Sequence, residues 1–243
     1  MAPAASPGAR ALAGHDVPGL LEGARRARAH GTAPGGSAAR LAALLTAAED
    51  AGRNVVALWA YAERLEPVGE WFRQLWAESL GKKRGDGTRA GQSPLHCVGS
   101  TDQHSIQQLM VEGPPDKAVL VLAGPASDDL AVPAEAPGAG SGHSCGRILE
   151  AMRRATTAGM VRAGCPAATI RLDDWSEGSL GALLMTFLGA TVVAGDLLGV
   201  DPYGQPGVEA AKKSTKELLA SPGGATDRAV AETLGEGRGV RCP

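Results

Sequence analysis

The segment Lys117–Ala123, KAVLVLA, decides the fold class. From Ala118 to Ala123 it is apolar without a break. A strand with one wet face alternates apolar and polar residues. An uninterrupted run means that both faces are covered, as in a parallel sheet held between helices. Upstream, Val55–Tyr61 and Leu95–Val98 are short, mostly apolar segments, and Ala168–Leu172 follows downstream. Each reads as a further strand.

Helical spacing fills the gaps between these strands. Pro67 suits the first turn of a helix. After it, Val68, Trp71, Phe72, Leu75 and Trp76 recur at intervals of 3 and 4, which is one apolar stripe. Gly81 is placed to end that helix as a C′ residue. Further helices are expected from Thr101 or Asp102 to Val111, over Cys145–Ala163, over Ser176–Gly199 and over Pro206–Ala220. Strands alternating with helices imply an α/β protein with a three-layer α/β/α arrangement and a parallel sheet of four or five strands. Such sheets bind ligands beyond the carboxyl ends of their strands. That rim would carry Tyr61, the Gly99-Ser100-Thr101 turn and His104.

Residues 1–53 read as a lead-in. Its first 15 residues are Pro/Gly-rich and are expected to be poorly ordered. A helix opens at Asp16-Val17-Pro18 and runs to Ala29. A second, Ala38–Ala51, has Ser37 as its N-cap. The main domain spans 54–220, with a long loop at Ala126–Ser144. Residues 221–243 read as a loose, Gly-rich tail.

Composition narrows the function classes. The chain has 243 residues and a formal charge of −2, so the basic footprint of a nucleic-acid binder is missing. Aromatic residues are 3% of the chain, so the core must be aliphatic. Cys97, Cys145, Cys165 and Cys242 show no C-x-x-C spacing, and the pairs His96–Cys97 and His143–Cys145 lack further ligands at useful distances. Free thiols of a reducing cytoplasm fit better than a metal site. The start, MAPAASPGARALAG, has no apolar core of a secretory signal. The apolar run Leu180–Gly195 falls short of the ~20 residues of a membrane span. Asp196 stops it and glycines and threonines dilute it, so a buried helix is expected and no membrane contact.

Four features could carry chemistry. Glu78 stands in the last turn of its helix, where the negative end of the macrodipole disfavours an ionised carboxylate. That suits a base that must also return its proton, although a solvated surface Glu beside Lys82 and Lys83 is the plainer reading. His104 stands near the start of the next expected helix, where the dipole disfavours imidazolium and leaves a neutral ring able to exchange protons near pH 7. It could equally just help Asp102 and Ser105 close a helix start. Gln205 and Lys212 are two helical turns apart and could face one groove, but two adjacent lysines, Lys212 and Lys213, usually mark a solvated face. The loop Gly138–Gly146, GAGSGHSCG, has the look of a phosphate cradle. It does not match the dinucleotide pattern, and no convincing strand leads into it.

Three blocks make the chain recognisable: ERLEPVGEWFRQLWAESLGK at Glu63–Lys82, GQSPLHCVGSTDQHSIQQLMVEGPPDK at Gly91–Lys117, and LLGVDPYGQPGVEAAKK at Leu197–Lys213. In order and spacing they resemble the carboxy-terminal half of the glucose-6-phosphate isomerase family, over roughly residues 10–215. The resemblance implies a flavodoxin-like sugar-isomerase (SIS) domain. It implies reversible conversion of glucose 6-phosphate and fructose 6-phosphate through a cis-enediol, with no metal or organic cofactor. On that basis Glu78 matches the base that moves a proton between C1 and C2. His104 matches the ring-opening histidine that the neighbouring subunit of a dimer supplies. Lys212 matches the lysine that assists ring opening, and Gln74 and Gln205 match substrate-binding glutamines. The substrate is then a sugar phosphate, the setting glycolysis and gluconeogenesis in the cytoplasm, and the assembly a homodimer or a complement with an N-terminal SIS domain.

The chain also departs from the family pattern. Members are about twice as long. No Ser/Thr-rich phosphate loop and no Gly-Gly-Arg-Phe-Ser-like segment appears. Tyr203-Gly204 stands where Phe-Asp is usual, and Met152 where an acidic residue is common. The isomerase reading therefore expects activity only with a complementary half. The alternative is a silent fragment or a sugar-phosphate-binding module.

Overall fold

The computed structural model describes residues 14–125 and 130–235. It divides into two compact units, Met1–Pro202 and Tyr203–Pro243. The first begins with helices α1 (Val17–Gly31) and α2 (Ser37–Asp50), followed by strand β1 (Val55–Ala60) and helix α3 (Glu66–Leu80). A two-residue hairpin, β2 (Lys82–Lys83) and β3 (Arg89–Ala90), precedes β4 (Ser93–Val98). Then come the short helix α4 (Gln107–Glu112), β5 (Lys117–Ala123), α5 (Cys145–Arg162), β6 (Ala167–Arg171) and α6 (Glu177–Leu198). The second unit holds α7 (Pro206–Ala220) and α8 (Ala225–Leu234), the latter within the span read as tail.

The expected parallel sheet is present. Its order is β4-β1-β5-β6 and every pair is parallel. Period-two alternation divides the two central strands between two cores. Val56, Leu58, Leu120 and Leu122 face one side with Leu41, Leu45, Phe72, Trp76, Leu183 and Phe187 of helices α2, α3 and α6. Ala57, Trp59, Val119 and Val121 face the other with Met110 of α4 and Met160 of α5. All seven residues of β5 are buried, as its unbroken apolar run requires.

The few aromatic residues concentrate where α3 meets α6. Phe72 lies 4.9 Å from Phe187 and 5.5 Å from Trp76, centroid to centroid. Each large side chain fully withdrawn from water here contributes about 1.5–3 kcal/mol. Helix α6 is the one described helix long and apolar enough to cross a membrane. It packs instead against α1, α2 and α3. At Gly181 it touches α1 so closely that a Cβ would stand 1.9 Å from the carbonyl oxygen of Leu20. Gly69 does the same for α3 on the sheet, where a Cβ would fall 2.2 Å from the ring of His96.

Local expectations need four corrections. Ser37 is the first residue of α2 and not its cap; Gly36 holds the cap position without a side-chain bond. Gly81 ends α3 with φ −69°, so the stop is no left-handed cap. The chain turns directly into β2, and the β2–β3 hairpin was not anticipated although Gly85-Asp86-Gly87 is a turn signal. The single helix expected from Thr101 or Asp102 to Val111 is a 3-10 turn, Thr101–His104, followed by α4. The cause is Asp102. Its carboxylate accepts from the Val98 N–H at 2.7 Å and from the Ser105 hydroxyl at 2.6 Å, folding the chain back on β4. Residues 1–13, the start of the loop at 126–129 and residues 236–243, with Cys242, lie outside the described residues.

Candidate active site

Glu78 sits in the last turn of α3, half-buried, and Gln74 lies one turn before it. The Gln74 amide donates to Oε1 of Glu78 at 3.4 Å. The helix presents both polar groups on one side because Phe72, Trp76 and Leu80 anchor the other. Past Gly81 the Lys82 ammonium donates to the carbonyl of Asp201. The stretch carrying Glu78 is therefore fixed at both flanks, by aromatic packing and by that bond.

His104 ends the 3-10 turn after β4 and is exposed. It thus closes a one-turn 3-10 element and does not stand inside the start of an α-helix, where it was expected. Its position is set by its neighbours. Asp102 ties the turn to β4 as described above. Gln103 points inward, and its amide donates to the Tyr61 hydroxyl at 2.9 Å and to the Thr156 hydroxyl at 2.8 Å. That residue links the end of β1, α5 and the turn. Sequence reasoning missed it, because Tyr61 and Thr156 meet only in the fold. Beside it, burial and the Asp102 charge push the Cys97 thiol up to about 12, which leaves it inert.

Within this unit Glu78 and His104 are not brought together. Helix α3 starts beyond the carboxyl end of β1 and returns toward the amino end of the sheet. Gly91, just ahead of β4, abuts Leu80 and Gly81. His104 follows the carboxyl end of β4. The six residues of β4 separate them by roughly 20 Å at ~3.3 Å per residue.

In the second unit, Gln205 holds the N-cap position of α7 and makes no side-chain cap bond. Lys212, on the same helix, is paired with Glu209 at 2.8 Å, and Lys213 lies 4.0 Å from Glu217. Four backbone donors of the Gly138–Gly146 loop are already engaged. The N–H groups of Ser141, Gly142, His143 and Cys145 bond to carbonyls of Gly138, Val132, Gly140 and Leu130. A phosphate would find none of these free. Among the described residues no three His, Cys, Asp or Glu side chains gather as a metal set.

No protein-family model matches the chain. It is similar to the glucose-6-phosphate isomerase of Rubrobacter xylanophilus, 42% identical over 224 residues, covering 88% of this chain and 50% of that protein. A solved structure of a hypothetical protein from Thermus thermophilus superposes with a TM-score of 0.80 at 33% identity, covering 87% of this chain and 52% of that one. A glucose-6-phosphate isomerase structure from Chlamydia trachomatis superposes with a TM-score of 0.74 over 90% of this chain and 46% of the other. At 19% identity that match speaks for the fold. The chain spans about half the length of the curated relatives it matches. It belongs to the glucose-6-phosphate isomerase family and corresponds to one half of a member.

Proposed function

We propose that this chain is the base-carrying, carboxy-terminal half of a glucose-6-phosphate isomerase, working with a second half that holds the sugar phosphate. The Gln74–Glu78 pair carries the proposal, because a half-buried carboxylate with an amide donor on the same helix face can bind a sugar hydroxyl and move a proton. In this reading Glu78 takes the proton from C2 of the open-chain aldose and returns it to C1 of the cis-enediol. The electron pair of the broken C–H bond forms the C1–C2 double bond while the C1=O π pair moves onto O1, which takes a proton; O2 then gives up its proton to form C2=O as the C1–C2 π pair takes the proton from Glu78 at C1. The side chains of Gln74 and Gln205 bind the substrate. His104 opens the ring from a neighbouring subunit of a dimer, which accords with its distance from Glu78 within one unit. Lys212 assists that step. Proton transfer between adjacent carbons needs no cofactor. The reading places the protein, dissolved, in the cytoplasm.

The purified chain should turn over fructose 6-phosphate very slowly. The phosphate grip and the positive charge for the enediolate are absent from its sequence. Each electrostatic element of that kind is typically worth roughly 10²–10³-fold, so the deficit is on the order of 10⁴-fold or more. Co-expression with the half of the Rubrobacter protein that this chain does not match should restore isomerisation, and Glu78→Gln should remove it with substrate binding largely kept. His104→Ala should slow the cyclic sugar more than an open-chain substrate. A restored mixture in which Glu78→Gln stays fully active refutes the assignment of the base.

A further inference from the structure

Strand β6 forms one edge of the sheet. In a parallel pair, alternate residues turn their peptide groups to opposite sides. Here the Val119 N–H bonds to Pro166 O and the Leu172 N–H to Ala123 O, so the even-numbered positions of β6 serve β5. Ala167, Thr169 and Arg171 therefore turn their N–H and C=O groups outward, where no strand pairs with them among the described residues. Thr169 and Arg171 are exposed.

Alongside this edge runs a groove of about 650 Å³. Helix α2 walls it with Leu41 and Leu44, helix α6 with Leu183 and Thr186, and Ile170 contributes to the floor. Leu44 is 40% exposed there. Row and groove together have the form that takes an added strand: a line of backbone donors and acceptors, and beside it an apolar slot for every second side chain.

The opposite edge is closed. The Ser93 and Gly99 N–H groups bond inward to β1, so Pro94, His96 and Val98 are the outward positions of β4. Pro94 has no N–H to offer, and that of Val98 is taken by Asp102. These are protections that edge strands commonly carry. The outward positions of β6 have no proline and no capping carboxylate.

We propose that the β6 edge is completed by a strand of about five residues from the polypeptide that family members carry beyond the half matched here. This rests on the reading that the chain works with that second half, and the relatives' double length supplies the occupant. The incoming strand would set apolar side chains at alternate positions against Leu41, Leu44 and Leu183. Small molecules could fill the groove, but only a strand would engage both Thr169 and Arg171.

The test is residue-resolved amide exchange on the full chain, alone and co-expressed with the unmatched half of the Rubrobacter protein. In the chain alone, the amides of Thr169 and Arg171 should exchange fast and those of Ala168 and Ile170 slowly. In the complex the first two should slow by at least 100-fold. Thr169→Pro removes one outward N–H without touching the β5 ladder, so it should keep the chain folded and weaken copurification at least tenfold. The proposal is overturned if the halves fail to copurify, if Thr169→Pro copurifies unimpaired, or if the two amides stay fast in the complex. Slowing that grows with concentration of the chain alone assigns the edge to a second copy and also overturns it. Activity separates the two readings. Restored isomerisation with fast edge amides removes the added strand and leaves the isomerase. Slow edge amides without isomerisation do the reverse.

Discussion

The outer strands β4 and β6 belong to one sheet and have opposite finishes. On β4 a proline and an aspartate remove two of the three outward donors. On β6 all three remain, beside an apolar groove. An unguarded edge invites association with other chains. The contrast is the one the proposed added strand requires: a finished edge at β4 and an open one at β6.

That contrast presumes that α6, a wall of the groove, is a fixed element. Phe187→Ala should therefore cost about 3–5 kcal/mol of unfolding free energy in urea, since the ring is fully buried against Phe72. A loss under about 1 kcal/mol would mean that the wall is soft and the groove ill-defined. A sharper comparison lies within β6. Ile170→Pro strikes the ladder to β5 and should cost about 3 kcal/mol, whereas Thr169→Pro should cost less than about 1. Equal costs would show that the assigned parity of the strand is wrong. At the guarded edge, Asp102→Ala should lose about 1–3 kcal/mol by orphaning the Val98 N–H and the Ser105 hydroxyl. An unchanged denaturation midpoint would show that the guard is idle.

The smallest effect concerns the turn from β6 into α6. The hydroxyl of Ser176, then that of Ser179 and the Ser176 N–H, hold the carboxyl of Asp174 down to about 2. A depressed carboxyl adds stability that is fully present above its unfolded value of ~3.9 and is lost as pH falls through about 2. Between those limits the wild type should lose stability faster than Asp174→Asn. Parallel profiles over that window would refute the assignment.

The sheet was legible because a strand covered on both faces writes its burial into consecutive residues, as Lys117–Ala123 does. Helix α3 was legible from its stripe, and with it the placement of Glu78 in a last turn. The split of the helix after β4 was not, because it depends on Asp102 choosing the Val98 N–H over the helix it was expected to cap. The open edge was also hidden. Nothing in sequence order says that β6 is an outer strand, and the parity of Thr169 exists only once β5 lies beside it. For Gln205, His104 and Lys212 the residue types hinted at chemistry, but their proposed roles, and the choice of Gln74 altogether, came from resemblance. The fold adds that Glu78 and His104 lie at opposite ends of β4.

Gly69 has a consequence for Glu78. The absence of a Cβ there lets α3 rest on the imidazole of His96, and Glu78 rides the same helix nine positions further on. A methyl group at Gly69 would have to displace the His96 ring or lift the near end of α3. On the proposed role of Glu78 as the base, its aim would then be adjustable from a buried position nine residues away. Natural variation at residue 69 becomes a place to look for tuned isomerases whose reacting groups are all unchanged.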